Sequence, residues 1–253
     1  MKLRYLSDLH LEFIKSNKIG KFIEKIPPGL DEICILAGDI GNPYQTNYDK
    51  FMKFISENFK QTFIISGNHE YYNETKTIHE TNKYMEDYFQ KFNNISFLNN
   101  AYKKYNDYYF IGTTLWSKII NPIYKINDVS LIPQFDCNEY NKLNMLSVKF
   151  LEDTLQELSS HKEKCVMITH HLPSKSLIDV KYKTMNMLPY NQWFYCDMDE
   201  LIKKYNDKIK CWIYGHTHTQ SNCIINNISF LCNPIGYPNE NKEINFERTF
   251  ELP

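Results

Sequence analysis

Five short segments of this chain carry side chains suited to holding a metal ion: Asp8-Leu9-His10, Gly38-Asp39, Gly67-Asn68-His69-Glu70, Thr169-His170-His171 and Gly215-His216-Thr217-His218. Each follows a short apolar run, at 3–6, 33–37, 63–65, 166–168 and 211–214, with the length and composition of a buried strand. Strands ending together at one sheet edge would bring two aspartates, an asparagine and several histidines to one place. Singly these are weak signals, because Asp-x-His is common and Gly-Asn is a turn dipeptide. Five in order, with complementary donor types, form a joint requirement that chance seldom meets.

Residues i and i+2 of a strand share a side, so Asp8 with His10, and His216 with His218, are each expected to hold one ion together. Asp39, after a strand and a glycine, can bridge two cations with its two carboxylate oxygens. Asn68 offers a neutral amide oxygen where another negative charge would overload the site. Imidazole with carboxylate suits Mn, Fe or Zn better than Ca or Mg. Two ions about 3.5–4 Å apart can clamp the attacking and leaving oxygens of an in-line phosphoryl displacement. A hydroxide between them would be a strong nucleophile at neutral pH. His69, beside Asn68, is the natural proton donor to the leaving group.

The first ~110 residues alternate strand-like and helix-like stretches, the pattern of an α/β domain. Helices are expected over 47–59, with Tyr48, Phe51, Met52, Ile55 and Phe59 on one face, and over 75–92, with Ile78, Tyr84, Met85, Tyr88 and Phe89 in the core. Strands follow at 95–98, 101–105 and 108–111. Segments 116–142 and 174–193 break the rhythm and read as irregular, cap-like excursions near the sheet edge. Between and after them the pattern predicts helices at 147–159 and 197–205, the latter capped by Asp197, and strands at 164–169, 210–214, 221–225 and 229–232. No interdomain linker interrupts the chain, so residues 1–253 are expected to form a single domain.

Together, the five blocks resemble those of the calcineurin-like metallophosphoesterases. They span residues 8 to 218. The resemblance implies a four-layer α/β/β/α sandwich of two mixed β-sheets flanked by helices, with a dinuclear metal site at the strand ends. It also implies that one ion takes Asp8, His10, Asp39 and His218, and the other Asp39, Asn68, His170 and His216, leaving His69 as the acid. Of the adjacent histidines, His170 is favoured over His171 because His170-His171-Leu172-Pro173 is similar to the His-x-x-Pro of the lariat debranching branch. His171 is then expected in an outer shell or near substrate. The serine/threonine protein phosphatases have Gly-Asp-x-x-Asp-Arg-Gly at the second block. Here Asn42 replaces the aspartate that would orient the catalytic histidine, which argues against a phosphoprotein phosphatase. Further segments containing Trp116, Asn127-Asp128 and Asn233-Pro234-Ile235-Gly236-Tyr237 are similar to small microbial metallophosphoesterases of unsettled substrate. Asn42, His171, Trp116 and Asp128 are therefore candidates for supporting the ligands or touching substrate.

The expected function is hydrolysis of a phosphate ester, with a phosphodiester of a small or nucleotide-like molecule favoured and two divalent ions, manganese foremost, as cofactors. Trp116, Tyr124, Tyr182, Tyr190 and Trp193 are available to stack on a base or sugar, against the plainer reading that they pack the excursions down. A nuclease is the second reading. The formal net charge of −1 and the absence of a basic run weigh against it, because phosphate contacts from Lys and Arg dominate nucleic-acid affinity. A metal-binding scaffold without turnover is the third, and the filled blocks argue against it. Seven cysteines without a C-x-x-C pair point to buried reduced thiols, and no leader-like or membrane-length apolar run is present. An intracellular location is expected.

Overall fold

Apolar runs become strands buried on both faces, and the amphipathic stretches between them become helices lying outside. A computed structural model of the chain describes residues 1–122, 126–241 and 244–253. Tyr124, among the aromatic candidates above, lies outside the described residues. One sheet contains β1 (Lys2–Leu6), β2 (Gly29–Ala37), β3 (Phe59–Ile65), β4 (Ile95–Phe97) and β11 (Thr249–Glu251), in the order β11-β1-β2-β3-β4. The second contains β5 (Ala101–Tyr105), β6 (Tyr108–Thr113), β7 (Lys164–Thr169), β8 (Ile209–Tyr214), β9 (Ser221–Ile225) and β10 (Ile228–Cys232), in the order β5-β6-β7-β8-β10-β9. Inner strands pair in parallel, while β11, β5 and β9 are antiparallel edges.

Alternation along each strand divides its side chains between two cores. Tyr5, Ile33, Ile35, Phe63 and Ile65 of the first sheet meet Phe110, Val166, Ile168, Ile213 and Leu231 of the second. The rings of Phe63 and Phe110 stack at 4.0 Å. Outward-facing Leu6, Cys34, Leu36 and Ile64 are covered by α1 (Ile19–Ile23), α2 (Thr46–Asn58) and α3 (Ile78–Phe89). Met167, Trp212 and Phe230 are covered by α5 (Cys137–Leu158), which follows the short α4 (Asp128–Leu131), and by α6 (Asp199–Lys204). The result is the expected α/β/β/α sandwich. Both faces of each sheet are covered, which is why the strands read as near-continuous apolar runs.

Several expectations need correction. Helix α5 begins at Cys137, where the Asp136 carboxylate caps Asn138 N and Glu139 N, both at 2.9 Å, so the helix is ten residues longer at its start than 147–159. Its first turns hid because Asn141 and Asn144 turn inward beside Tyr140 while Met145 and Leu146 face solvent. Asn141 bonds both backbone groups of Ile119, and Asn144 donates to Trp116 O. Tyr84 is 36% exposed instead of in the core, and Phe59 opens β3 instead of ending α2. Helix α3 starts at Ile78, where Thr77 and Glu80 form a capping box. Asp197 does not cap α6, whose cap is Met198. The second excursion is built from single 3₁₀ turns at Lys175–Leu177 and Val180–Tyr182 and a longer one at Leu188–Trp193. Strand β11 was not foreseen.

Because β1, β2, β3 and β7, β8 run in parallel within their sheets, the loops that follow them gather at one edge. There Asp8 N bonds Gly38 O at 3.0 Å and Gly215 N bonds His170 O at 3.1 Å, each joining loops of one sheet, and Ile235 N to Ser7 O at 3.0 Å ties the two sheets together.

Candidate metal centre

Asp8 and His10 lie beyond β1, not within it, and both have left-handed backbone, with φ of 54° and 49°. Asp39, His216 and His218 do too, at 54°, 67° and 48°. The strand-side argument therefore fails for both Asp-x-His and His-x-His. These turns, unfavourable for non-glycine residues, are what aim the side chains inward. His216 and His218 consequently point into different groups and do not share one.

In the first group, His218 Nε2 is 3.4 Å from Asp8 Oδ1 and 3.0 Å from His10 Nε2, which is 3.9 Å from Asp39 Oδ2. In the second, His170 Nε2 is 3.3 Å from Asp39 Oδ2, 3.1 Å from Asn68 Oδ1 and 3.2 Å from His216 Nδ1. Asp39 Oδ2 lies between the two groups. Burial pushes the Asp39 carboxyl up, but the charges of His170, His69 and His10 outweigh this and hold it well below the usual carboxylate range.

The donor set fits divalent cations. His10 Nδ1 meets Glu12 Oε1 at 3.2 Å, His218 Nδ1 meets Glu240 Oε2 at 2.6 Å, and His170 Nδ1 meets the carbonyl of Ala37 at 2.9 Å. With Nδ1–H donated outward, each Nε2 lone pair faces the centre, the arrangement typical of histidine ligands. Nitrogen lone pairs 3.0 Å apart and beside buried carboxylates repel unless a proton or a cation lies between them. Asn68 is oriented in the same way. Its Nδ2 donates to Asp128 Oδ1 at 2.9 Å and to the Tyr72 hydroxyl at 3.0 Å, leaving Oδ1 toward the centre.

Two residues shape the loops without reaching the donors. The buried Glu70 carboxylate accepts N–H groups from Gly67 at 2.6 Å, Ile40 at 2.7 Å, Asp39 at 3.0 Å and Gly41 at 3.4 Å, clamping the β2 and β3 loops together. Burial pushes its carboxyl up to about 7. A side chain at Gly67 would put its Cβ 2.2 Å from Asp39 Oδ1 and 2.8 Å from His170 Cε1.

His69 stands at the edge of the first group. Its backbone N–H donates to Asp39 Oδ1 at 2.8 Å, its Nδ1 is 2.8 Å from Glu12 Oε1, and its Nε2 is 3.1 Å from the Tyr237 hydroxyl. Burial pulls its pKa down, but the Asp39 and Glu12 charges outweigh that and raise it. A cavity of about 210 Å³ opens beside it, lined by Asp39, Asn68, His216 and the rings of Tyr72, Tyr182 and Phe194.

Other candidates sit elsewhere. Asn42 donates to Tyr72 O at 3.1 Å and accepts from Tyr44 N at 3.0 Å, holding a loop instead of touching His69. His171 is wholly buried behind the His216 ring, with Nε2 2.9 Å from the Tyr140 hydroxyl and Nδ1 3.2 Å from Thr114 O. Burial pulls its pKa down to about 3, so it is neutral. Trp116 and Trp193 are core residues packed around Tyr140, closed to a ligand. Asp128 is buried behind Asn68. Glu12, Tyr72, Tyr237 and Glu240 went unnoticed as site residues in the sequence. Glu12 and Tyr72 lie two residues beyond a donor block, Tyr237 ends the Asn233–Tyr237 segment noted above, and nothing in the sequence marks Glu240.

The model of calcineurin-like phosphoesterases matches residues 1–220 of this chain. The chain belongs to that family. It is a metal-dependent phosphoesterase in the general sense that the family carries. "Uncharacterized protein L509" of Acanthamoeba polyphaga mimivirus is 36% identical over 270 residues, covering 96% of this chain and 94% of the relative. In fold, the chain is similar to the crystal structure of phosphopantetheinyl hydrolase (PptH) from Mycobacterium tuberculosis. The TM-score is 0.72 at 15% identity, over 94% of this chain and 90% of that one. A putative 5'-nucleotidase from Staphylococcus aureus gives a TM-score of 0.51 at 17% identity, over 92% of this chain and 48% of that one. Among the described residues no helix of this calcineurin-like protein is long and apolar enough to cross a membrane.

Proposed function

We propose that this calcineurin-like protein is a dinuclear phosphoesterase that hydrolyses a phosphodiester of a small or nucleotide-like molecule. Asp8, His10, Asp39 and His218 hold one ion; Asp39, Asn68, His170 and His216 hold the other. The observation that carries this reading is Asp39 Oδ2, 3.9 Å from His10 Nε2 on one side and 3.3 Å from His170 Nε2 on the other. The mixed imidazole and carboxylate set favours manganese, with iron or zinc as substitutes. When bound, such a pair of cations supplies Lewis acidity and a water nucleophile at neutral pH.

The chain's own residues supply the rest. Asp39 and His170 fix the spacing of the two groups, and Glu70 holds their loops in register. His69 Nε2, on the cavity wall, carries the proton that the leaving oxygen needs. Tyr72, Tyr182 and Phe194 give the organic part of the substrate an aromatic surface and exclude water from it. Among the described residues lining the cavity there is no lysine or arginine, which favours a small ester over a nucleic-acid strand. We also read residues 1–253 as one domain, and the seven cysteines, all free, favour a reducing intracellular setting.

The test is to load the protein with Mn²⁺ and compare hydrolysis of bis(p-nitrophenyl) phosphate with that of p-nitrophenyl phosphate, in the wild type and Asp39→Asn. Faster metal-dependent turnover of the diester, lost in Asp39→Asn together with both ions, is the expected result. Preference for the monoester would overturn the diesterase reading. No turnover of either with two ions bound would return weight to a binding scaffold.

A further inference from the structure

The acid at the centre needs something to hold it, and Asn42 does not. Glu12 is within reach. It belongs to the turn Leu11–Phe13 directly after His10, and its carboxylate is folded back against the histidines. One oxygen, Oε1, meets His69 Nδ1 at 2.8 Å and His10 Nδ1 at 3.2 Å. The other, Oε2, is buried with no hydrogen-bond partner. Room for it comes from Gly41, at φ 152°, where a Cβ would lie 2.9 Å from Leu11 Cβ and 3.3 Å from Glu12 Oε2. A buried carboxylate costs several kcal/mol in desolvation unless charge or N–H donors offset it, so an acid with a bare oxygen in this place calls for a purpose.

We propose that Glu12 is the positioning residue of His69. It accepts the Nδ1–H of His69, so that Nε2 is the nitrogen turned to the leaving oxygen, and through the same atom it ties the acid to His10. The Tyr237 hydroxyl, 3.1 Å from His69 Nε2, shows that an oxygen can reach that nitrogen. Glu12 touches neither substrate nor phosphoryl group. Its effect is to make the proton donor and the first metal group move as one unit. This inference rests on His69 being the acid.

The test compares Glu12→Gln, His69→Asn and the double variant, all loaded with Mn²⁺, on p-nitrophenyl and phenyl esters of phosphate, with bound metal counted in each. Phenoxide is the poorer leaving group and depends more on the acid. Glu12→Gln keeps the size of the side chain, and its two bound ions certify the fold. It is expected to lower kcat on the phenyl ester by roughly 10–100-fold, as for a catalytic group displaced by a fraction of an ångström, and to do less to the p-nitrophenyl ester. In the double variant it should add nothing to the loss from His69→Asn, because the two residues act as one unit.

Equal losses on both esters, or losses that multiply in the double variant, would overturn the inference. So would loss of an ion in Glu12→Gln, which would make Glu12 a ligand or a prop for His10. If His69→Asn itself left the phenyl ester unaffected, the acid assignment would fall first. Failure of Glu12→Gln alone would leave that assignment standing.

Discussion

Asp128 accepts a hydrogen bond from Asn68 Nδ2 at 2.9 Å, and this fixes the Asn68 carbonyl oxygen 3.1 Å from His170 Nε2. A primary amide can present either end to a cation with little change of shape. The buried carboxylate behind it decides which. Asp128→Ala should therefore weaken the ion on the Asn68 side by about 10–100-fold and spare the one held by Asp8 and His218. Calorimetric titration of Mn²⁺ into metal-free protein resolves the two steps, and equal weakening of both would place the role of Asp128 elsewhere.

His69→Asn should keep both ions, since its ring nitrogens meet Glu12 and Tyr237 and not the two groups between which Asp39 lies. Turnover of esters with poor leaving groups should fall by ~10²–10⁴-fold, and that of an activated aryl ester by much less. Metal analysis beside the two rates checks both halves of the prediction.

Glu70→Ala removes the acceptor of four buried backbone N–H groups at once. Each such group left unpaired costs about 1–3 kcal/mol, and water entering the gap recovers part of it. A fall in Tm on the order of 10 °C is expected for a chain of this size. Thermal denaturation followed by circular dichroism measures it; a shift within the error of the melt would mean that the β2 and β3 loops hold together without the clamp.

Chelation should lower Tm reversibly, because the ions bind donors that only the folded chain gathers. At a free Mn²⁺ concentration one hundred times Kd, one site adds about 2.7 kcal/mol, so Tm should rise with the logarithm of added metal. A Tm insensitive to both EDTA and Mn²⁺ would contradict metal binding by the native fold.

How much of this was readable beforehand follows from what kind of signal each residue leaves. Strands buried on both faces leave unbroken apolar runs, so nearly all strands of the two sheets were found, and the donors at their ends with them. The short edge strand β11 has only three residues and no such run. The start of α5 was missed because Asn141 and Asn144 face inward, inverting the usual pattern of polar outside and apolar inside. Geometry at the centre left less trace. Left-handed backbone at Asp8, His10, Asp39, His216 and His218 falls on residue types that seldom adopt it, so the sequence does not announce the turns that aim these side chains, and the strand-side reason for pairing Asp8 with His10 and His216 with His218 does not hold. Glu12 and Glu70 act through hydrogen bonds to partners up to 57 residues away, and nothing local marks such a bond.

The two sheets divide the chain almost cleanly at the turn between β4 and β5, and the donors divide with them. Residues 1–99 carry Asp8, His10, Asp39, Asn68 and His69; residues 100–253 carry His170, His216 and His218. The partition has one exception, since β11 comes from the later part and pairs with β1 in the first sheet. Cut at Asn99-Asn100, the molecule becomes two pieces, neither with a full complement of donors, and a three-residue strand of one that docks on the other. Neither piece alone should then turn over a phosphate ester, and any turnover by the mixture would report that the two have docked.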